Sequence, residues 1–288
     1  MNGTMAEALP QGGKRAWRFA VPLVLALGLG ACESVTPLNL PSVAEIDDPS
    51  NAPAQQANIG SLTDVIRRNP NDPQAYNTRG VAFARSGRFG EAVADFSRAI
   101  QLNPEYAAAY TNRGLAHRQA GRNAEALTDF NRAIEADARY YPAYLARGNL
   151  KRAQGNLGQA IADLGEVIRL NPEGAEAYHS RGLAYQSQGQ HTLALSDFDG
   201  AIDRNPYVAA PFQARGQSRL ATGKVDDALE DFNAALNIDN RNAESWALRG
   251  VALSRQGKKS DAAESFQRAM TIDANNRTAR EGMRMAGF

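Results

Sequence analysis

Between Pro73 and Tyr106 the apolar positions follow two helical periods separated by a break. In the first half Tyr76, Arg79, Gly80 and Phe83 fall at steps of three, one and three, which places them on one helical face. Ser86-Gly87 interrupts the period, since Gly supplies the left-handed backbone that a helix end needs. In the second half Phe89, Ala92, Val93, Phe96, Ala99, Ile100 and Leu102 form another apolar stripe. Asn103-Pro104 ends it, because Pro cannot continue a helix. Gly80 and Ala92 are small where two helices must approach closely, and Phe96 with Ala99 gives the large–small alternation that lets hairpins interdigitate. The pattern predicts an antiparallel helical hairpin.

The hairpin repeats. Arg79-Gly80 returns as Arg113-Gly114, Arg147-Gly148, Arg181-Gly182, Arg215-Gly216 and Arg249-Gly250, always 34 residues on. A fixed period in this range marks a helical repeat array. Six units follow in register: 73–106, 107–140, 141–174, 175–208, 209–242 and 243–276. The order aromatic, Gly, aromatic, turn Gly, Ala, aromatic, Ala, Pro is met by Tyr178, Gly182, Tyr185, Gly189, Ala194, Phe198, Ala201 and Pro206. Tyr110, Gly114, Gly121, Ala126, Phe130 and Ala133 follow it too, as do Trp246, Gly250, Gly257, Ala262, Phe266 and Ala269. This resembles the tetratricopeptide repeat (TPR), which implies an all-α TPR solenoid, a right-handed superhelix of antiparallel helix hairpins. The third unit departs from the pattern at Lys151, Leu164 and Val167, and the fifth at Arg219.

The flanks read differently. From Asn58 the stripe Ile59, Leu62, Val65, Ile66 predicts a degenerate cap helix over 58–72, and 277–288 reads as a polar-faced terminal helix. Residues 32–57 hold Pro37, Pro41, Pro49 and Pro53 without a sustained helical period, which predicts a flexible tether. Lys14, Arg15 and Arg18 precede an apolar run from Phe19 to Gly30, shorter than the about 20 residues of a membrane-spanning helix, so 1–31 reads as a signal peptide. It leads into Leu29-Gly30-Ala31-Cys32, which resembles a bacterial lipobox. The alternative is a simple secretory signal cleaved after Ala31. The resemblance implies that Cys32, the only Cys, is lipidated and anchors the chain, since more than one acyl chain holds stably. Glu33, where Asp favours inner-membrane retention, implies the outer membrane on its periplasmic side.

A net charge of +1 and the lack of any recognisable motif argue against nucleic acid as a partner. Three His and one Cys cannot build a zinc cluster or a disulfide framework. No nucleophile elbow, P-loop or His-Glu-x-x-His motif occurs, so neither catalysis, a cofactor nor a metal is expected. His117 takes an aromatic slot and His191 starts a second helix, which are structural places.

Arg precedes the Gly in every unit, and Asp95, Asp129, Asp163, Asp197 and Asp231 recur before the second-helix aromatic, with Ser265 in the sixth. Solvated side chains on two helices would explain this; a repeated Arg–Asp pair with Arg stems packed between helices explains it better. Either way a feature of every unit belongs to the scaffold. Binding should fall where units differ. The resemblance implies that first helices line a concave groove, offering Asn77 and Arg85, Thr111 and Arg118, Asn149 and Arg152, and His179 and Gln186. Leu220 and Ala247 continue the same face. The mixture suits an extended peptide or helix of some acidic character, against the alternative of an ordinary wetted face. Without matching Lys, clamping of a chaperone-type C-terminal carboxylate is rejected. The expectation is a non-enzymatic, lipid-anchored scaffold that binds other proteins at the cell envelope, with peptidases or peptidoglycan hydrolases as clients. The alternative is a pilotin or assembly factor for a secretin or barrel protein.

Overall fold

The structure, a computed structural model, describes residues 52–286, with side chains from 58 to 285. The segments expected as a signal peptide and a tether, with Cys32 between them, lie outside the described residues up to residue 51. Fourteen α-helices and no strand occupy the described chain: α1 (Ala52–Arg68), α2 (Pro73–Arg85), α3 (Phe89–Leu102), α4 (Ala107–Gln119), α5 (Asn123–Ala136), α6 (Tyr141–Ala153) and α7 (Leu157–Leu170). They continue with α8 (Ala175–Ser187), α9 (His191–Arg204), α10 (Ala209–Ala221), α11 (Val225–Ile238), α12 (Ala243–Arg255), α13 (Lys259–Ile272) and α14 (Arg277–Ala286). The all-α solenoid is therefore observed. One boundary moves: α1 starts at Ala52, ahead of the residue 58 expected. Pro53 lies in its first turn, where the missing N–H has no helical partner to lose, so it opens the helix instead of blocking it.

Each hairpin closes at a glycine in the left-handed region, Gly87 at φ 71° and Gly223 at φ 80° among them. Within the hairpin the second-helix Phe lies on the backbone of the first-helix Gly. A Cβ on Gly80 would stand 2.6 Å from Phe96 Cε1, which no side chain tolerates. In the third unit Leu164 fills that place less completely, leaving 3.0 Å to its Cγ at Gly148. Phe96, Phe130, Leu164, Phe198, Phe232 and Phe266 are all fully buried, each contributing roughly 2–3 kcal/mol of apolar burial. At the far end Asn276 Oδ1 accepts the Ala279 N–H at 2.8 Å and caps α14, which covers Phe266 with Gly282.

The order of packing sets the curvature. Every helix packs on the next, and the first helices also touch one another in succession: α2 on α4, α4 on α6, α6 on α8, α8 on α10, α10 on α12. The second helices make no such mutual contacts among the described residues. First helices are thus drawn together and second helices splayed, so α2, α4, α6, α8, α10 and α12 line the concave face.

Candidate protein-docking groove

Two sets of arginines lie on the first helices, and their partners separate them. The first set precedes the Gly. Arg113 donates from Nε and Nη2 to the two carboxylate oxygens of Asp129 at 2.9 and 2.6 Å. Arg79–Asp95, Arg147–Asp163 and Arg181–Asp197 repeat this fork-on-fork geometry. Arg215 reaches Asp231 likewise, and Arg249 finds Ser265 Oγ at 2.6 Å instead. The remaining guanidinium edge reaches back sixteen residues to the preceding hairpin: Arg79 to Thr63, Arg113 to Ser97, Arg147 to Asn131, Arg215 to Asp199, Arg249 to Asn233. These five arginines thereby each join three helices. The guanidinium of each of the five also sits over the aromatic ring three residues earlier, as Arg147 does over Tyr144 at 5.6 Å, whereas Arg181 sits over Tyr185, four residues later. Arg113 and Arg181 are held above their usual pKa, chiefly by the hydrogen bonds to Asp129 and Asp197.

The departures of units three and five reinforce this ladder. Lys151 Nζ meets Asp163 at 3.0 Å and Arg219 Nη1 meets Asp231 at 2.9 Å, from the slot where an aromatic was expected. His117, from the same slot, stands 3.8 Å from Asp129, and burial holds its pKa below normal. Unit four lacks one rung. Gly165 stands sixteen residues before Arg181, and a Cβ there would lie 3.7 Å from Arg181 Nη1.

The second set faces the groove. Arg118 on α4 and Glu176 on α8 attract one another across it, yet no hydrogen bond joins them among the described residues. Burial on the concave face lowers the pKa of Arg118 and raises that of Glu176, although Glu176 itself remains exposed to solvent. His179 stands beside them, held neutral at a pKa of about 4 by burial and by the charge of Arg152. Its ring lies 6.0 Å from that of Phe198. Asn149 Oδ1 on α6 is buried and accepts no hydrogen bond.

Sequence and structure differ at several groove positions. Thr111 is not available to a partner: it is 2% exposed and its hydroxyl donates to Ala107 O at 3.0 Å. Leu220 is likewise buried, in a cluster with Phe232 of α11 and Leu248 and Ala252 of α12, and Ala247 is buried in a cluster with Phe266 of α13 and Ala279 of α14. Asn77 accepts from Asn112 at 3.0 Å, and the Gln186 amide donates to Ala214 O and Ser218 Oγ at 2.8 and 2.9 Å. Arg85 is exposed in the last turn of α2. The structure thus gathers Arg118, Asn149, Arg152 and His179, and adds Glu176, which register alone did not single out. No group of three or more His, Cys, Asp or Glu among the described residues is placed to hold a metal ion.

A tetratricopeptide repeat model matches residues 59–102, 77–141 and 214–277, a TPR repeat model matches 148–189, and a further tetratricopeptide repeat model matches 175–207. The chain belongs to the tetratricopeptide repeat family. No curated protein sequence matches it. Among solved structures it is similar to a chain of the APC/C hetero-tetramer Cut9–Hcn1, with a TM-score of 0.70 and 16% identity over 81% of this chain and 46% of that one. The chain therefore spans about half the length of that relative. PilF of Pseudomonas aeruginosa aligns with a TM-score of 0.68 and 16% identity over 74% of this chain and 97% of its own. PilW, a type IV pilus biogenesis factor, gives 0.66 and 15% over 73% and 97%. At these identities the likeness is one of fold. That fold is a protein–protein interaction scaffold.

Proposed function

We propose that the protein is a lipid-anchored, non-enzymatic adaptor on the periplasmic face of a bacterial outer membrane, and that its concave groove over the first three units docks an extended segment of another protein. The observation that carries the docking reading is on the inner face: Arg118 is half-buried without a hydrogen bond to another described residue, and the buried Asn149 Oδ1 accepts none. Arg85, Arg118 and Arg152 form its charged edge. Peptidases and peptidoglycan hydrolases of the envelope are the clients proposed. The anchor rests on Cys32 and the lipobox-like residues before it.

Two experiments test the parts separately. Cys32→Ser should abolish incorporation of labelled palmitate; equal labelling of wild type and variant contradicts the anchor. Reversing Arg85, Arg118 and Arg152 to Glu should reduce recovery of partners from detergent-solubilised envelopes, more so at low salt. Recovery of the same partners at the same yield contradicts the groove. The pilotin reading draws on the likeness to PilW, whose printed description is a pilus biogenesis factor. It predicts a secretin among the recovered proteins and mislocalised secretin when the chain is absent.

A further inference from the structure

The outer side of the solenoid is charged except along one helix. Second helices make no contacts with one another among the described residues, so each keeps an open outward seam. In α3 the seam runs Glu91, Ala94, Arg98, Gln101 and, just past the helix, Glu105, at the steps of three and four that define one helical face. The same positions of α5 hold Glu125, Arg132, Glu135 and Arg139, and those of α7 hold Glu166, Arg169 and Glu173. In α9 the seam reads Leu193, Ser196, Gly200, Asp203 and Tyr207, with Asp203 its one charge. Leu193 is 49% exposed and Tyr207, just past the end of α9, is 84% exposed. The middle is flat. Gly200 has no side chain, and the Tyr178 ring lies so close that a Cβ there would stand 2.9 Å from its Cδ1. Two exposed apolar side chains on one charge-poor face mark an interaction surface, where a single one would need no explanation.

We infer that this seam docks a second copy of the chain, with the two α9 helices antiparallel across a two-fold axis at Gly200. A two-fold contact requires a surface that is its own complement, and this one is. Leu193 and Tyr207 each lie seven residues from Gly200 (200 − 193 = 7 and 207 − 200 = 7), so reversing one helix lays Leu193 on the partner's Tyr207 at both ends. Ser196 then stands beside the partner's Asp203, a hydroxyl donor facing a carboxylate acceptor. Gly200 meets its own copy where the backbones come closest. Parallel pairing would instead set Asp203 against Asp203. The other seams do not fit this contact. The same axis would bring Arg98, Arg132, Glu166 or Arg268 onto its own like charge. In α11, with Ala234 at that place, the ends offer the exposed ion pair of Asp227 with Arg241, which contributes little in water. The contact lies on the convex side and leaves the concave face of both copies uncovered.

The test uses the full chain carrying Cys32→Ser, so that any thiol is an introduced one. One helix pair is at the small end of specific interfaces, so association is followed through the micromolar range by sedimentation equilibrium. The expected result is a reversible monomer–dimer equilibrium. Leu193→Glu and Tyr207→Glu give α9 the charged ends of other seams; each should raise the dimer Kd at least about tenfold, with far-UV circular dichroism unchanged. Chains carrying Leu193→Cys and chains carrying Tyr207→Cys, mixed and oxidised, should form the disulfide between residues 193 and 207 of different copies and little of either same-residue disulfide. Monomer alone at every concentration, an assembly larger than a dimer, or a dimer that both Glu variants leave unchanged overturns the inference. Same-residue disulfides in place of the mixed one overturn the antiparallel arrangement.

Discussion

Arg113 and Arg118 stand five residues apart on one helix and belong to different regions of the molecule. Arg113 is part of the ladder between helices. It forks onto Asp129, reaches Ser97 and lies over Tyr110. Arg118 is part of the groove, where the charge of Glu176 acts on it without a hydrogen bond between the two. The ladder recurs in every hairpin, which makes it scaffold. The groove cluster occurs once, where α4, α6 and α8 meet. Residue type does not distinguish the two arginines; what separates them is that Arg113 is hydrogen-bonded to the helices on either side and Arg118 to no other described residue.

If that contrast is right, the largest effect should come from breaking a rung. Asp129→Ala leaves Arg113 partly buried without its carboxylate and should lower unfolding free energy by about 3–5 kcal/mol, read by thermal or denaturant unfolding. The cost measures an orphaned charge, not the net worth of the pair, so a double replacement of Arg113 and Asp129 by apolar residues should recover part of it. A loss below about 1 kcal/mol would move the ladder into the class of surface ion pairs.

An intermediate effect should appear on acidification. His179 has a folded pKa of about 4, below the ordinary value of 6.5, so the folded state resists protonation. Its contribution is whole above pH 6.5 and is lost as pH falls from there toward 4, by at most about 3 kcal/mol. Glu176 acts in the opposite sense: its raised pKa means that stability is regained as the carboxylate protonates. Melting temperature of His179→Gln should fall less than that of wild type between pH 6.5 and 4.5, and Glu176→Gln should fall more. Identical pH profiles for all three would contradict the desolvated character of this part of the groove.

A smaller effect, of the opposite sign, should come from filling the missing rung. Gly165→Ser offers Arg181 the acceptor that other units provide and removes a helix-interior glycine, for a gain of about 1 kcal/mol. The smallest should come from the groove itself. Arg85→Glu is an exposed change and should shift stability by no more than about 0.5 kcal/mol while weakening partner capture.

The sequence carried the solenoid almost entirely, because a 34-residue period constrains both helices and the turn at once. It also carried half of the ladder, since Arg and Asp both recur. The backward half was hidden: the position sixteen residues earlier is Thr63, Ser97, Asn131, Gly165, Asp199 and Asn233, with no shared type to notice. Lys151 and Arg219 looked like decayed aromatics until the carboxylates they meet were seen. In the groove, register placed Arg118, Asn149 and His179 on first helices, and they lie on α4, α6 and α8. It erred at Thr111, because how far a concave position stays open depends on the approach of neighbouring helices, which periodicity does not encode. Glu176 was missed because it lies one helical turn before His179; its signal was present as the only acid on five consecutive first helices.

The central claim is that two arginines on α4 do different work, and comparing Arg113→Gln with Arg118→Gln by hydrogen exchange and thermal unfolding tests it most directly. The account predicts that Arg113→Gln loses about 3 kcal/mol, with protection falling in α4 and α5, whereas Arg118→Gln stays within about 0.5 kcal/mol of wild type. Equal losses in the two variants, or a larger loss at Arg118, would contradict it.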